Sequence, residues 1–488
     1  MSIIKQYLTA FNNQFMKPIS FILSLVFLAF THTGYAQKTN KKPNIVFILS
    51  DDHSASFLGI YGNPDLKTPN IDKLGKDGIV FANAYTTAPQ CVPSRASIMT
   101  GRSQVEIDMT RFSAPLSASI KAYPEYLREG GYYTGICGRT FHLDGNRSPQ
   151  ESATVYDTYG LETFKNRVDY LKITQDLDGI QKQYTDFLDQ VPKDKPFFIQ
   201  VGFSDPHRIF DARDYEPDPQ KIKVPSYFPD TKLLREDLAS YYGEVQRLDV
   251  SVGKVLDELK KRGLEENTLV VFMGDNGAAL LRGKGTLHRL GIHVPLFARY
   301  PGQIKPGQTS TALVSGIDIA PTFLSVAGIT VPAEITGKSL LPAFESKPYE
   351  GHSYIYAARS AHGQGLPTNT AHFDLGRTVF NHKYKLIYNA LWQLPYTPVD
   401  FSTLPFWFDL QQQHADGRLN DKWSELLFAE HRPLFELYDI ETDPEEFTNL
   451  SGKPEYRAIE DELKAKLQEW MILNRDYLPL PIESVPKR

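Results

Sequence analysis

Four short runs of the chain end in ionisable side chains. "DDH" (Asp51, Asp52, His53) follows the apolar run 44–50, and "GRTFH" (Arg139, His142) follows 132–137. "SDPHR" (Asp205, His207, Arg208) follows 197–203, and "DNG" (Asp275, Asn276) follows 268–274. One such cluster alone reads as a turn or a helix cap. Four of them, each behind an apolar run, read as the parts of one site. Asp51, Asp52, Asp275 and Asn276 would bring three carboxylates and an amide oxygen together, and such carboxylates repel unless a cation lies among them. An all-oxygen set suits a hard cation, Ca²⁺ or Mg²⁺, rather than zinc; Ca²⁺ is the preferred reading.

A fifth stretch, "TTAPQCVPSRASIMTGR" (86–102), holds Cys91, one of only two cysteines. A short helical pattern closed by Gly101 puts Cys91 at a helix N-terminus, where free N–H groups favour an anion. Arg95, four residues on, shares that face. A position in an electropositive cradle beside a divalent cation suits a nucleophile that attacks an anionic substrate. A small buried apolar residue is the alternative for a cysteine, and this neighbourhood argues against it.

The elements that must position these groups are legible. The four runs are almost continuously apolar rather than alternating, as in strands buried on both faces of a parallel sheet. Between them, "REDLASYYGEVQRLDVSVGKVLDELKKRG" brings Leu238, Tyr242, Val245, Leu248, Val252, Val255 and Leu259 round at every third or fourth position, and Gly263 ends the run. "TPNIDKLGKDG" offers Thr68 as N-cap and Pro69 at the first helical position. Strands alternating with helices predict an α/β domain, whose ligands bind at the carboxyl edge of the sheet. From about residue 350 the texture changes. Residues 377–389 predict a pair of strands, 434–450 a strand and turn, and 455–474 an amphipathic helix. The expected division is 1–36, 37–350 and 351–488, the last being a smaller α+β part, an antiparallel sheet plus a helix, that completes the substrate pocket.

Residues 1–36 predict an export signal. They carry Lys5 and Lys17, no acid, and an apolar run, 19–30, too short for a comfortable membrane span. Gly34 and Ala36 then stand at the small-residue positions of a cleavage site. Cleavage after Ala36 would give a periplasmic or secreted protein with no stable membrane insertion. Removing two lysines and no acid moves the formal charge from −5 to −7, which disfavours non-specific nucleic-acid binding. A chain of 488 residues, 41% hydrophobic, needs no disulfide for its core, and Cys91 and Cys137 are expected to stay unpaired.

"CVPSRASIMTGR" resembles the signature of the type I sulfatases, C-x-P-S-R with a T-G-R close. The resemblance extends through "PNIVFILSDDH", "TPNIDKLGKDGIVFANAY", "DNG", "GKGT", "GIHVPL" and "ELYDIETDPEEFTNL", nearly the whole length after residue 36. "DPHR" and the C-terminal stretch are similar to the sulfamidase (heparan N-sulfatase) branch, and "GKGTLHRLGIHVP" to bacterial polysaccharide sulfatases. The resemblance implies an alkaline-phosphatase-like fold, a mostly parallel sheet flanked by helices with a smaller C-terminal sheet. It also implies that Cys91 becomes formylglycine, made by a formylglycine-generating or anaerobic sulfatase-maturing enzyme. Residue 91 would be the nucleophile and, with Asp51, Asp52, Asp275 and Asn276, would hold one Ca²⁺. Arg95 would hold the aldehyde hydrate, His142 accept its proton, His207 protonate the leaving group, and Lys284 bind sulfate. Arg139 stands where the family usually has lysine, keeping the charge but not the shape, and Phe141 stands where tryptophan is common. Arg208, His288, Arg289 and His362 are candidate substrate contacts.

The function expected is hydrolysis of sulfate from a sulfated polysaccharide, an algal one such as ulvan or a glycosaminoglycan. Alternatives are an N-sulfoglucosamine sulfohydrolase acting on heparan-type chains, a phosphate or phosphonate ester hydrolase, and a non-catalytic polysaccharide-binding homologue. The intact set Cys91, Arg95, His142, His207 and Lys284 stands against the last.

Overall fold

The four runs, dense in β-branched and aromatic residues, form strands as predicted, and eight strands make the main sheet. The computed structural model describes residues 41–110, 115–139, 141–144, 156, 158–362 and 370–481; residues 1–36 lie outside these. The strands are β1 Asn44–Ser50, β2 Ile79–Tyr85, β3 Tyr133–Gly138, β4 Tyr170–Ile173, β5 Phe197–Gly202, β6 Thr268–Gly274, β7 Leu296–Arg299 and β8 Gln308–Ser315. Their order is β4-β3-β5-β1-β6-β7-β2-β8. Every pairing is parallel except those of β7, which runs against both β6 and β2.

Six helices matter here: α1 Pro69–Lys76, α2 Cys91–Thr100, α3 Leu177–Gln190, α4 Lys232–Lys261, α5 Ile319–Val326 and α6 Arg457–Leu473. The strand period of two sends alternate side chains of β1 to opposite layers. Val46 and Ile48 join Leu238, Val245, Leu248 and Val252 of α4. Ile45, Phe47 and Leu49 join Ile98 of α2 and Phe323 of α5. All seven residues of β1 and of β6 are buried, which is why neither run alternates. Phe47 meets Phe323 edge to face at 5.5 Å, and truncating such a ring to alanine costs about 3–5 kcal/mol.

Helix α4 begins where the Thr231 hydroxyl accepts from the Leu234 N–H and stops before Gly263, whose φ is +66°. At α1 the outcome differs from expectation. Thr68 occupies the N-cap position, but its hydroxyl donates to Asp72 Oδ1 at 2.9 Å and accepts from the Gly59 N–H at 3.3 Å rather than from an N–H of α1.

The smaller sheet is antiparallel, β12 Phe435–Asp439, β11 Tyr384–Asn389, β10 Phe373–Phe380 and β9 Ile355–Ala361 in that order. The pair predicted over 377–389 is β10 with β11, and the helix predicted over 455–474 is α6. One face packs on α6 through Val379, Leu386, Leu437, Leu463 and Leu467. The other shares a core with Tyr85, Leu287, Ile292 and Leu313 of the main layer, and Lys42–Arg488 forms one unit. Cys91 and Cys137 are both buried and free. Among the described residues no helix is long and apolar enough to cross a membrane.

Candidate active site

Parallel pairing in register sets the chemistry side by side. Ser50 is level with Gly274, and Leu49 with Gly202. The chain therefore leaves β1, β5 and β6 together, and the Asp51 N–H donates to the Asp205 carbonyl while Asp275 N–H donates to that of Ser50. Helix α2 then delivers Cys91 and Arg95 to the same edge. All ten of its residues are buried, and Gly101 closes it in the left-handed region.

Arg95 ties the carboxylates together. Its Nη2 lies 3.0 Å from Asp51 Oδ2, its Nε donates to Asp275 Oδ2 at 2.8 Å, and its Nη1 donates to the Arg139 carbonyl at 3.1 Å. Arg139 Nε pairs with Asp51 Oδ2 at 2.5 Å. The Cys91 thiol lies 3.3 Å from Asp51 Oδ1 and 3.8 Å from Asp52 Oδ1. Asp52 has a φ of +57°, unusual for a residue with a Cβ. In that turn its N–H donates to Asp275 Oδ1, and its carboxylate meets Asn276 Nδ2 at 2.9 Å and Lys284 Nζ at 3.0 Å. His207 Nδ1 donates to the Arg208 carbonyl, which leaves Nε2 toward the carboxylates, 3.7 Å from Asp52.

Burial pushes every carboxylate up, and cations decide which are held down. Arg139 and Arg95 outweigh burial at Asp51 and keep its carboxyl well below the usual range. At Asp52 burial, aided by Asp51 and Asp400, prevails over Lys284 and lifts the group to about 7. Burial and Asp51 lift Asp275 to about 6 despite Arg95. Two buried carboxylates thus lack full compensation. The ligating atoms of Asp51, Asp52, Cys91 and His207 lie within 4.8 Å of one another, and Asn276 Oδ1 is buried with no hydrogen-bond partner. An orphaned amide oxygen beside under-compensated carboxylates fits a hard divalent cation, with Asp51, Asp52, Asp275 and Asn276 as the oxygen donors.

Of the sequence-predicted residues, the structure brings together Asp51, Asp52, Cys91, Arg95, Arg139, His207, Asp275, Asn276 and Lys284. The His142 side chain lies outside the described residues. His362 Nε2 stands 3.5 Å from Oδ1 of Asp400, whose Oδ2 meets Lys284. Arg208 is turned away: both Nη atoms pair with Asp237, and its guanidinium stacks over Phe210. His288 pairs with Glu436 at 3.1 Å and lines a cavity of about 640 Å³. Arg289 lines a smaller one, and neither cavity is lined by Cys91 or its carboxylate neighbours. Sequence reasoning missed Asp400. It lies in "YTPVDFSTLPF", which carries no strand or helix period, yet its Oδ2 is 2.6 Å from Lys284 Nζ.

A family model described as Sulfatase matches residues 43–329, and one described as N-sulphoglucosamine sulphohydrolase, C-terminal, matches residues 282–391. The human N-sulphoglucosamine sulphohydrolase is 30% identical over 470 residues, 88% of this chain and 89% of that one. An ulvan-active sulfatase of Formosa agariphila is 27% identical over 500 residues, 91% of this chain and 77% of its own. A solved structure in complex with D-glucosamine-2-N,6-O-disulfate aligns with a TM-score of 0.66 at 21% identity, over 90% of this chain and 99% of that one. With its parallel sheet, its buried cysteine and its acidic edge, the chain belongs to the sulfatase family, in the sulfamidase-like branch, and is a sulfuric ester hydrolase.

Proposed function

We propose that the chain is an exported carbohydrate sulfatase that works through formylglycine at position 91 and one Ca²⁺ ion. The observation that carries this reading is the setting of Cys91, buried as the first residue of α2 with its thiol 3.3 Å from Asp51 Oδ1. Burial, with Asp51 adding to it, pushes its thiol well above the ordinary value, so a thiolate is disfavoured where a nucleophile is wanted. A thiol would also form a thiosulfate ester with no easy exit. A hydrated aldehyde at residue 91 supplies one hydroxyl to attack sulfur and a second whose deprotonation expels sulfate. Asp51, Asp52, Asp275 and Asn276 would hold the cation, which would supply positive charge to offset that on the sulfuryl group.

The other roles belong to the chain's own side chains. Arg95, fixed by two carboxylates, holds residue 91 in place. Lys284 stays protonated: burial opposes its charge, but Asp400 and Asp52 outweigh burial and raise its pKa. It presents a fixed cation to sulfate, and Arg139 a second. His207 Nε2 faces the cluster and, once the imidazole has taken up a second proton, gives it to the leaving atom; burial opposes that charged form and the Asp51 and Asp400 carboxylates favour it. His142 takes a proton from the hydrate. The relatives that act on sulfated glycans, named as N-sulphoglucosamine sulphohydrolase and ulvan-active sulfatase, support a sulfated polysaccharide or its oligosaccharides as substrate. The segment 1–36 supports periplasmic or secreted placement, and a maturing enzyme is the partner that residue 91 requires.

The test is sulfate release from heparan-type and ulvan-type oligosaccharides by wild type and Cys91→Ala. Wild type releases sulfate from at least one class, Cys91→Ala from none, and the variant keeps its thermal midpoint. Mass spectrometry of the peptide around residue 91 finds the aldehyde. Full activity in Cys91→Ala would overturn the mechanism.

A further inference from the structure

Among the described residues, the reactive cluster itself is closed off from solvent. Cys91, Asp51, Asp52, Asp275 and Asn276 have no exposed surface, and the Lys284 side chain is 1% exposed. Among the described residues, the most exposed side chains next to them are Asp400 at 27%, His207 at 18% and His362 at 14%. These three form one group. Asp400 Oδ2 lies 3.9 Å from His207 Nε2, and Oδ1 lies 3.5 Å from His362 Nε2. Lys284 Nζ bridges the group to the buried cluster, 2.6 Å from Asp400 and 3.0 Å from Asp52. A substrate that brings a sulfate to Lys284 must lay its carbon skeleton against this wall.

The wall is built, not incidental. Gly285 has a φ of +80°, and a Cβ there would sit 2.3 Å from Val399 Cγ2. Only glycine lets the segment carrying Asp400 lie directly over Lys284. Asp400 itself has a φ of +66°, which aims its carboxylate inward.

A carboxylate accepts and never donates, with about four lone-pair sites, and Lys284 and His362 take two of them. Its remaining acceptors, one ammonium away from the sulfate site, are within reach of the substituent on the carbon next to the sulfated one. A hydroxyl or an amine there would donate to Asp400. A second sulfate or a carboxylate there would meet a like charge, which is strongly disfavoured in a half-buried site.

We propose that Asp400 is a specificity residue: it accepts a hydrogen bond from a hydroxyl or amino group on the carbon next to the sulfated position and rejects substrates carrying an anion there. This rests on the sulfated-glycan reading above.

The experiment uses two probe pairs, N-sulfoglucosamine and rhamnose 3-sulfate, each with and without a second sulfate on the neighbouring carbon. Release at the shared position is measured with full-length, Ca²⁺-loaded wild type, Asp400→Asn and Asp400→Ser. Asparagine tolerates the left-handed backbone, and selectivity is a ratio within one preparation, so partial folding does not affect it. Wild type favours the singly sulfated member of the pair it uses by at least about tenfold in kcat/KM. Both variants compress that ratio to below about threefold. An unchanged ratio, or equal losses on both members as expected if Asp400 only holds Lys284, overturns the inference. Release from neither singly sulfated probe, with the aldehyde present at residue 91, fails the glycan reading and takes this inference with it.

Discussion

At the scale of single residues, the site is a problem of buried charge. Three carboxylates share two arginines and a lysine, and Asp52 and Asp275 are left near neutrality by burial. A divalent cation resolves this, so exhaustive chelation is expected to lower both the thermal midpoint and sulfate release, and Ca²⁺ to restore them; identical melting with and without chelator would count against the metal site. A second buried pair sets an acid limit. Burial would raise the Glu436 carboxyl, but His288, Tyr438 and Asn389 outweigh it and hold it at about 2, below the ordinary 4.5. The folded state therefore releases this proton more readily than the unfolded one. The stability this contributes is present above pH 4.5 and is lost as pH falls toward 2; burial lowers the pKa of His288, so where the imidazole is neutral the Tyr438 and Asn389 hydrogen bonds carry it. Glu436→Gln should flatten the fall in denaturation midpoint between pH 4.5 and 2.5, and an unchanged slope would show that the pair contributes nothing. The cluster around Cys91 was legible because each member follows an apolar run or sits in a short motif. Asp400 was not, because only the folded path of residues 396–401 brings it to Lys284, and no local pattern records that path.

At the scale of elements, strand ends do the positioning. Gly138 closes β3 at a φ of +84°, and a Cβ there would lie 2.0 Å from the Gly202 carbonyl oxygen of β5. Gly138→Ala should cost more than about 2 kcal/mol and displace Arg139, the next residue, reducing turnover. Gly131→Ala, where φ is +92° but nothing lies within 4 Å, should cost only about 1 kcal/mol. Equal denaturation midpoints for the two variants would refute this account. The buried strands and α4 could be read because a run apolar on every position, or on every third and fourth, has few other uses. The antiparallel insertion of β7 between β6 and β2 could not, since a four-residue strand carries no direction in its composition. Nor could the pairing of Arg208 with Asp237: from sequence, an arginine beside His207 looks like a substrate contact.

At the scale of the whole molecule, the late part of the chain braces the early part. Glu446 accepts from Lys385 Nζ at 2.6 Å and from the Arg289 N–H at 2.7 Å, and its carbonyl accepts from Arg282 at 2.6 Å. One residue near the C-terminus thus clamps both ends of the 282–289 loop that carries Lys284. Glu446→Ala leaves the buried Lys385 uncompensated, so it should cost about 3–5 kcal/mol and raise KM for the sulfated substrate as Lys284 loses its backing; a stable variant with unaltered KM would separate brace from site. The same closure has a consequence in time. Helix α2 is buried along its full length, so no second enzyme can grasp residue 91 once the sheet, α5 and the small sheet have closed around it. On the formylglycine reading proposed above, the alteration of that residue has to precede folding, and each newly made chain would have one interval, between synthesis and closure, in which to become active. A chain that folds too fast is then a well-made, permanently inert protein, and the fraction of active molecules in a preparation measures a race rather than an equilibrium.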